Sequence, residues 1–218
     1  LDHRGLISRM LPEWEPVRSK PQRNAYHRFT VDRHLWEAAA NASELVDMVS
    51  RPDLLVLGAL FHDIGKGYPG DHTEVGMAMM SDLGPRMGLS EADTAVIITM
   101  IEQHLLLPDV AMRRDLSDPA TLTYVAERVG NQEVLELLHA LTIADSKATG
   151  PSAWGSWKEQ LVQELVERVS HVVGGGDVAD ATWTLFPDAE TLALMATGDP
   201  HVVVDGTRLL VVYRDTPG

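Results

Sequence analysis

A chain of 218 residues with 18 Lys+Arg against 32 Asp+Glu carries a formal charge of −14 at pH 7, a sign that opposes the clustered cations needed to neutralise nucleic-acid phosphates. With 44% hydrophobic residues and no cysteine, it can bury a core, yet it cannot be a disulfide-stapled miniprotein, hold zinc through thiolates or attack through sulfur. Its longest apolar stretch, residues 54–61, is too short to span a bilayer, and no cationic-then-apolar leader opens the chain, so a cytoplasmic protein with no membrane partner is expected.

At about 150 residues per domain the length corresponds to roughly one and a half domains. An opening Leu1 in place of Met suits a piece excised from something longer. The charge is unevenly placed: residues 1–33 hold seven bases against four acids, residues 34–173 nine against 21, and residues 174–218 two against seven.

Helical periodicity fills the middle zone. His34, Ala38, Ala42, Leu45 and Val49 share one helix face, which Arg51-Pro52 should end. Residues 54–61 read as a short buried helix. Asp71-His72-Thr73-Glu74 has the form of a capping box opening a helix that stops near Gly84-Pro85 or Gly88, and Ser90-Glu91-Ala92-Asp93 repeats the signal. Further helices are predicted over residues 92–106, 119–129, 132–144 and 152–172, the last with Trp154, Trp157, Leu161, Leu165 and Val169 turned to the core.

The pattern changes at Gly174-Gly175-Gly176. A short helix over residues 189–195 precedes two β-branched runs, 202–204 and 209–213, separated by the hairpin-type Asp205-Gly206. The predicted fold class is therefore all-α, a helical bundle over residues 1–173. A linker over 174–200 and the β-hairpin start of a second domain over 201–218 should follow.

Polar residues on apolar stripes point to chemistry. His62-Asp63 closes the apolar run, placing an imidazole and a carboxylate together at a buried helix end. An unpaired carboxylate there costs on the order of several kcal/mol, so a bound cation or an ion pair with Lys66 must compensate. His34 lies on the face described above. His104 follows Ile97 and Ile101, and Asp145 follows Val134, Leu138 and Leu141, at core-facing intervals. Together these residues bring oxygen and nitrogen ligands to the inward ends of different helices, as bundles do when they build metal sites. A sulfur-free His/Asp set suits Mn or Mg foremost, with Fe or Zn also compatible, and such ions favour phosphoester hydrolysis. His72, in the first turn of its helix, has a plain capping role as its alternative.

The order His34, His62-Asp63, Asp145 resembles the H…HD…D signature of the HD-domain phosphohydrolases, an all-helical metal-dependent superfamily, and His72 and His104 match the two additional histidines of its binuclear members. Residues 21–34, 71–76 and 144–150 are more closely similar to the uridylyl-removing domain of the GlnD family, bifunctional uridylyltransferases and uridylyl-removing enzymes of the PII nitrogen-signalling protein. Residues 201–206 and 215–218 look like the opening of that family's first ACT domain.

The resemblance implies one or two ions, the first on His34, His62, Asp63 and Asp145, the second bridged by Asp63 to His72 and His104. It implies hydrolysis of a nucleotidyl-tyrosine on PII, with UMP or AMP released. Asp63 and Lys66 would be the catalytic residues, with Lys66 meeting developing charge. Arg23, Arg28 and Arg33 would guide the phosphate, with solvated surface as the alternative role for at least two of them, and His27 would reach the site if the His34 helix extends backward. Glutamine control would belong to the full-length protein with its ACT domains. The same ligand set could instead serve guanosine tetraphosphate or a free nucleotide, or mark an inactive binding module.

Overall fold

The computed structural model describes residues 4–22, 27–181, 189–205 and 208–213. The chain forms two compact units, Leu1–Ala181 and Thr182–Gly218.

The first unit is a helical bundle. Its described helices are α1 (Leu6–Met10), α2 (Val31–Ser43), α3 (Pro52–Phe61), α4 (His72–Arg86), α5 (Glu91–Gln103), α6 (Leu106–Arg113), α7 (Pro119–Val129), α8 (Gln132–Thr149), α9 (Ser156–Val173) and α10 (Val178–Ala181). Helix α2 packs on α8 and α3, α4 packs on α5, and α9 packs on α6 and α7. Leu35, Leu54, Leu55, Phe61, Ile97 and Leu138 are among the fully enclosed side chains; each such burial contributes about 1.5–3 kcal/mol. Capping follows the predicted chemistry: Asp71 Oδ1 accepts from the amides of Thr73 and Glu74, and Ser90 Oγ accepts from that of Asp93.

Several boundaries differ from the sequence expectation. Helix α2 ends at Ser43, so Leu45 and Val49 leave the stripe, and the chain enters a 3-10 turn at Val46–Met48. Ser43 Oγ bonds back to the Ala40 carbonyl, a local bond that competes with helix continuation, and Asn41 Nδ2 ties the end of α2 to the Ala144 carbonyl at 3.0 Å. Pro52 sits instead at the first position of α3, where its missing N–H is harmless.

The helix expected over residues 92–106 stops at Gln103, and a separate α6 follows. Continuing through would set the Pro108 ring against the carbonyl four residues back, that of His104, and the break falls there. Glu91–Arg113 is long and apolar enough for a membrane span, with mean hydropathy 1.4. It is nevertheless two core helices whose Ile97, Met100, Ile101 and Leu107 are buried in the bundle.

Helix α8 continues past Ala144 to Thr149, carrying Asp145 on helical backbone. Helix α9 begins at Ser156, and Trp157 is 63% exposed; the buried stripe is Val162, Leu165 and Val169. At the glycine run, the amides of Gly174 and Gly176 close the end of α9 on the Ser170 and His171 carbonyls, and α10 then packs on α7 and α9.

In the second unit, α11 (Ala189–Ala196) precedes an antiparallel hairpin of β1 (His201–Asp205) and β2 (Arg208–Val212), in register from His201 opposite Val212. Gly206 and residues 215–218 lie outside the described residues.

One close approach fixes the site. Gly65, in the 3-10 turn Ile64–Gly67 that follows His62-Asp63, abuts the start of α4: an added Cβ would run into the His72 carbonyl and lie 2.8 Å from the Gly76 amide nitrogen. Backbone must move to relieve such a clash, so Gly65→Ala should destabilise the fold by about 2–4 kcal/mol. It should also separate His72 from Asp63. Urea unfolding together with divalent-ion titration measures both effects, and an unchanged midpoint would refute the close-packing argument.

Candidate metal centre

Each histidine of the cluster reaches the site from a helix end or face. His62 and His104 are the C-terminal caps of α3 and α5, and both turn Nδ1 back onto a last-turn carbonyl: His62 to Ala59 at 2.9 Å, His104 to Ile101 at 2.8 Å. These bonds place the proton on Nδ1 and leave Nε2 as an inward lone pair, the tautomer a metal ligand requires. His34 comes from α2, buried, and His72 from the first turn of α4, its side chain 32% exposed at the rim. Asp145 descends from α8.

Asp63 lies between them, buried. Its Oδ2 is 3.4 Å from His62 Nε2 and 3.8 Å from His34 Nε2; its Oδ1 is 3.7 Å from His72 Nε2 and 3.8 Å from His104 Nε2. Asp145 Oδ1 approaches the first pair, 3.0 Å from His34 Nε2 and 3.5 Å from His62 Nε2. In the groups His34–His62–Asp63 and Asp63–His72–His104 all ligand atoms lie within 4.8 Å of one another.

The donor set fits divalent ions on three grounds. The His34, His62 and Asp145 atoms stand 3.0–3.5 Å apart, the ligand–ligand edge that follows from bonds of about 2.0–2.2 Å, while Asp63 lies 3.7–3.8 Å from His34, His72 and His104, too far for hydrogen bonds. Asp63 Oδ1 is buried without a hydrogen-bond partner while flanked by two imidazole nitrogens. The Nε2 atoms of His34 and His62 face one another at 3.3 Å, a contact that either a proton on one ring or a shared cation would satisfy. The ion pair with Lys66 that the sequence offered as an alternative is also present, at 2.5 Å, but it engages only Oδ2. Pair and cation site therefore coexist on one carboxylate.

Electrostatics shows how strongly the pocket demands positive charge. Burial disfavours the charged ring of His62, but Asp63 and Asp145 outweigh it and push its pKa up to about 10. Burial likewise opposes ionisation of Asp63 and Asp145, yet His62 and Lys66 beside the former, and His34 and His62 beside the latter, hold both well below the ordinary carboxylate range. Burial pushes His104 down. His27 is also lowered, by burial and then by Lys66 and His34. A divalent ion held by Asp63 and Asp145 would satisfy the carboxylates in place of the His62 proton, and its binding would release that proton.

The cluster opens into a cleft of about 720 Å³ whose lining includes His27, Lys66, Met112, Thr149 and Lys158. His27 needs no backward extension of α2. It precedes the helix, and the Arg28 amide donates to the Thr149 carbonyl at 3.2 Å, setting the His27 ring 5.3 Å from that of His34. Arg28 and Arg33 are not brought into the cleft: both are exposed beside Phe29, and the Arg33 guanidinium pairs with Glu37 one turn along α2. Arg23 lies outside the described residues.

Sequence reading passed over the α6 wall, with Leu105, Pro108 and Met112, and also Ser146 and Lys158. For Lys158 a signal existed. It precedes Val162, Leu165 and Val169 by four, seven and eleven residues, so it continues the stripe that is buried.

A helical bundle with a His/Asp cluster of this kind defines a metal-dependent hydrolase of the HD class. The family model described as HD domain matches residues 31–149, and the chain belongs to that family. The chain is similar to proteins named bifunctional uridylyltransferase/uridylyl-removing enzyme. With that of Streptomyces coelicolor it is 52% identical over 204 residues, covering 92% of this chain and 24% of the relative. With that of Mycobacterium tuberculosis it is 46% identical over 224 residues, covering 100% and 27%. With that of Gluconobacter oxydans it is 37% identical over 192 residues, covering 81% and 20%. The chain thus spans about a quarter of the length of the curated relatives it matches.

Proposed function

We propose that this chain removes a nucleotidyl group, UMP or AMP, from a tyrosine of the PII nitrogen-regulatory protein by hydrolysing the phosphodiester. The observation that carries the reading is Asp63, whose two oxygens are divided between the His34–His62 and His72–His104 pairs at the floor of an open cleft. Similarity to proteins named as uridylyl-removing supports the choice of substrate.

His34, His62, Asp63 and Asp145 would hold one divalent ion, and Asp63, His72 and His104 a second. Mn or Mg are the leading candidates, with Fe or Zn also suited to the ligands. When bound, such ions supply Lewis acidity and a nucleophile at neutral pH. The Nδ1 bonds of His62 and His104 fix their rings before substrate arrives, which lowers the reorganisation the site must undergo. Lys66 holds Asp63 through Oδ2 and lines the cleft, where its ammonium can meet charge developing on the phosphoryl oxygens. A tyrosyl oxygen, with a parent phenol pKa of about 10, leaves with little acid assistance.

The test is incubation with uridylylated PII, adenylylated PII, guanosine tetraphosphate and nucleoside monophosphates in Mn or Mg. Release of UMP or AMP from the protein substrate is the expected result. Turnover of the free nucleotides alone, or of nothing, overturns the proposal.

A further inference from the structure

The cleft is lined by three acidic side chains, Asp63, Asp109 and Asp145, on a chain of formal charge −14. A phosphate ester entering such a place meets repulsion unless a local cation receives it. Among the described residues three basic side chains line the same cleft. Lys66 is paired with Asp63 at 2.5 Å, and Arg113 is exposed and lies 3.8 Å from Asp109. Lys158 differs: among the described residues no carboxylate lies within ion-pair distance of it, and it is half-buried.

Its position is built. Lys158 lies in the first turn of α9 on the buried stripe, and its Nζ donates to the Ala153 carbonyl at 3.0 Å and to Ser146 Oγ at 3.4 Å. Nζ also lies 5.8 Å from the centre of the Trp154 ring. An ammonium has three donors; two are used, which leaves the third to the cleft. Ser146 is buried and next in sequence to Asp145, so the ammonium is placed one side chain away from the candidate metal cluster. Burial lowers the Lys158 pKa, although Asp145 and Asp109 act the other way. A half-desolvated cation without a counter-ion gains most when an anion arrives.

We propose that Lys158 is the anion anchor of the cleft, binding a phosphoryl oxygen of the substrate beside Asp145. That the anion is a nucleotidyl phosphate rests on the function proposed above; that Lys158 binds a phosphoryl group does not. The competing role is mechanical, in which Lys158 only ties residues 150–155 to α8 through the Ala153 and Ser146 bonds.

The experiment titrates the magnesium-loaded protein with inorganic phosphate and with UMP by calorimetry, at low and high salt, for wild type and for Lys158→Gln, Lys158→Met and Lys158→Arg. Glutamine keeps an amide donor for the mechanical bonds and removes the charge. Lys158→Gln should weaken both ligands about 10- to 100-fold, as loss of a charged hydrogen bond implies. It should also flatten the salt dependence, with melting temperature and magnesium affinity unchanged. Lys158→Met should weaken binding similarly, and Lys158→Arg should restore most of it.

Wild-type binding by a folded Lys158→Gln protein overturns the anchor, as does weakened binding accompanied by equal loss of melting temperature and magnesium affinity. If Lys158→Met does not fold, Lys158→Gln and Lys158→Arg decide the matter alone. Phosphate binding that passes these tests while nucleotidylated PII is not hydrolysed leaves the anchor standing and removes the proposed substrate.

Discussion

Asp63→Asn should reduce the proposed release of nucleotide from modified PII by on the order of 10³-fold or more, with helical content preserved. The substitution keeps the size of the side chain and removes the charge that two imidazole pairs and Lys66 converge on. An amide offers one acceptor oxygen where the carboxylate offers two, so it cannot serve both sides of the cluster. Stability should respond less than activity. Removing one partner of a buried pair costs about 3–5 kcal/mol when the other charge is trapped, but Lys66 is only partly buried and can turn to solvent. The His62 ring can shed its proton once Asp63 is neutral. His72→Ala, at the rim, should be milder, because it leaves His34, His62, Asp63 and Asp145 intact. Single-turnover release of UMP or AMP, circular dichroism and metal content measured on one preparation decide the case. An Asp63→Asn protein that keeps its metal and its turnover would sink the bridging role.

That cluster was legible in the sequence for a definite reason. His34, His104 and Asp145 each sit where the helical period calls for an apolar side chain, so the anomaly survives errors in the helix ends. Asp145 lies just past the predicted end of its helix, at residue 144, and yet it lands on the stripe of Val134, Leu138 and Leu141, all buried. Adjacency in sequence served for His62-Asp63 because one backbone step is short. What periodicity could not supply was direction through loops. His27 reaches the cleft because the segment before α2 bonds to the end of α8, a contact between residues more than a hundred positions apart. The α6 wall required recognising that Pro108 forbids a helix through His104. Lys158 was hidden by choosing Trp157 and Leu161 as the inward face, one residue out of phase with Lys158, Val162, Leu165 and Val169. The three basic residues before His34 invited a phosphate-binding role by charge and proximity alone. Arg28 and Arg33, the two of them that are described, lie against Phe29 and Glu37 instead.

Removing divalent ions should convert the pH dependence of stability from rising to falling across the neutral and alkaline range. In the chelated protein His62 is the dominant group. Its folded pKa, up at about 10, exceeds the ordinary value of 6.5, so its contribution is complete below 6.5 and is lost as pH climbs toward 10. Asp63 and Asp145, held below 3.8, contribute above that value and lose their contribution as pH falls through their lowered pKa values. His104 and His27, lowered below 6.5, favour the folded state above that value and weaken it as pH drops further. The chelated protein should therefore melt highest near pH 6.5 and lower on both sides. With ions in excess the alkaline limb reverses, because each proton leaving an imidazole frees a ligand, and affinity rises with pH. At a free ion concentration about 1,000 times Kd the gain is about 4 kcal/mol, which for a unit of this size raises the melting temperature by roughly 8–16 °C. Thermal unfolding between pH 5 and pH 10, with chelator or with manganese, measures both curves. A chelated protein whose melting temperature rises from pH 7 to pH 10, or a manganese curve that coincides with it, would mean that the carboxylates of Asp63 and Asp145 are balanced by something other than His62 and a bound ion.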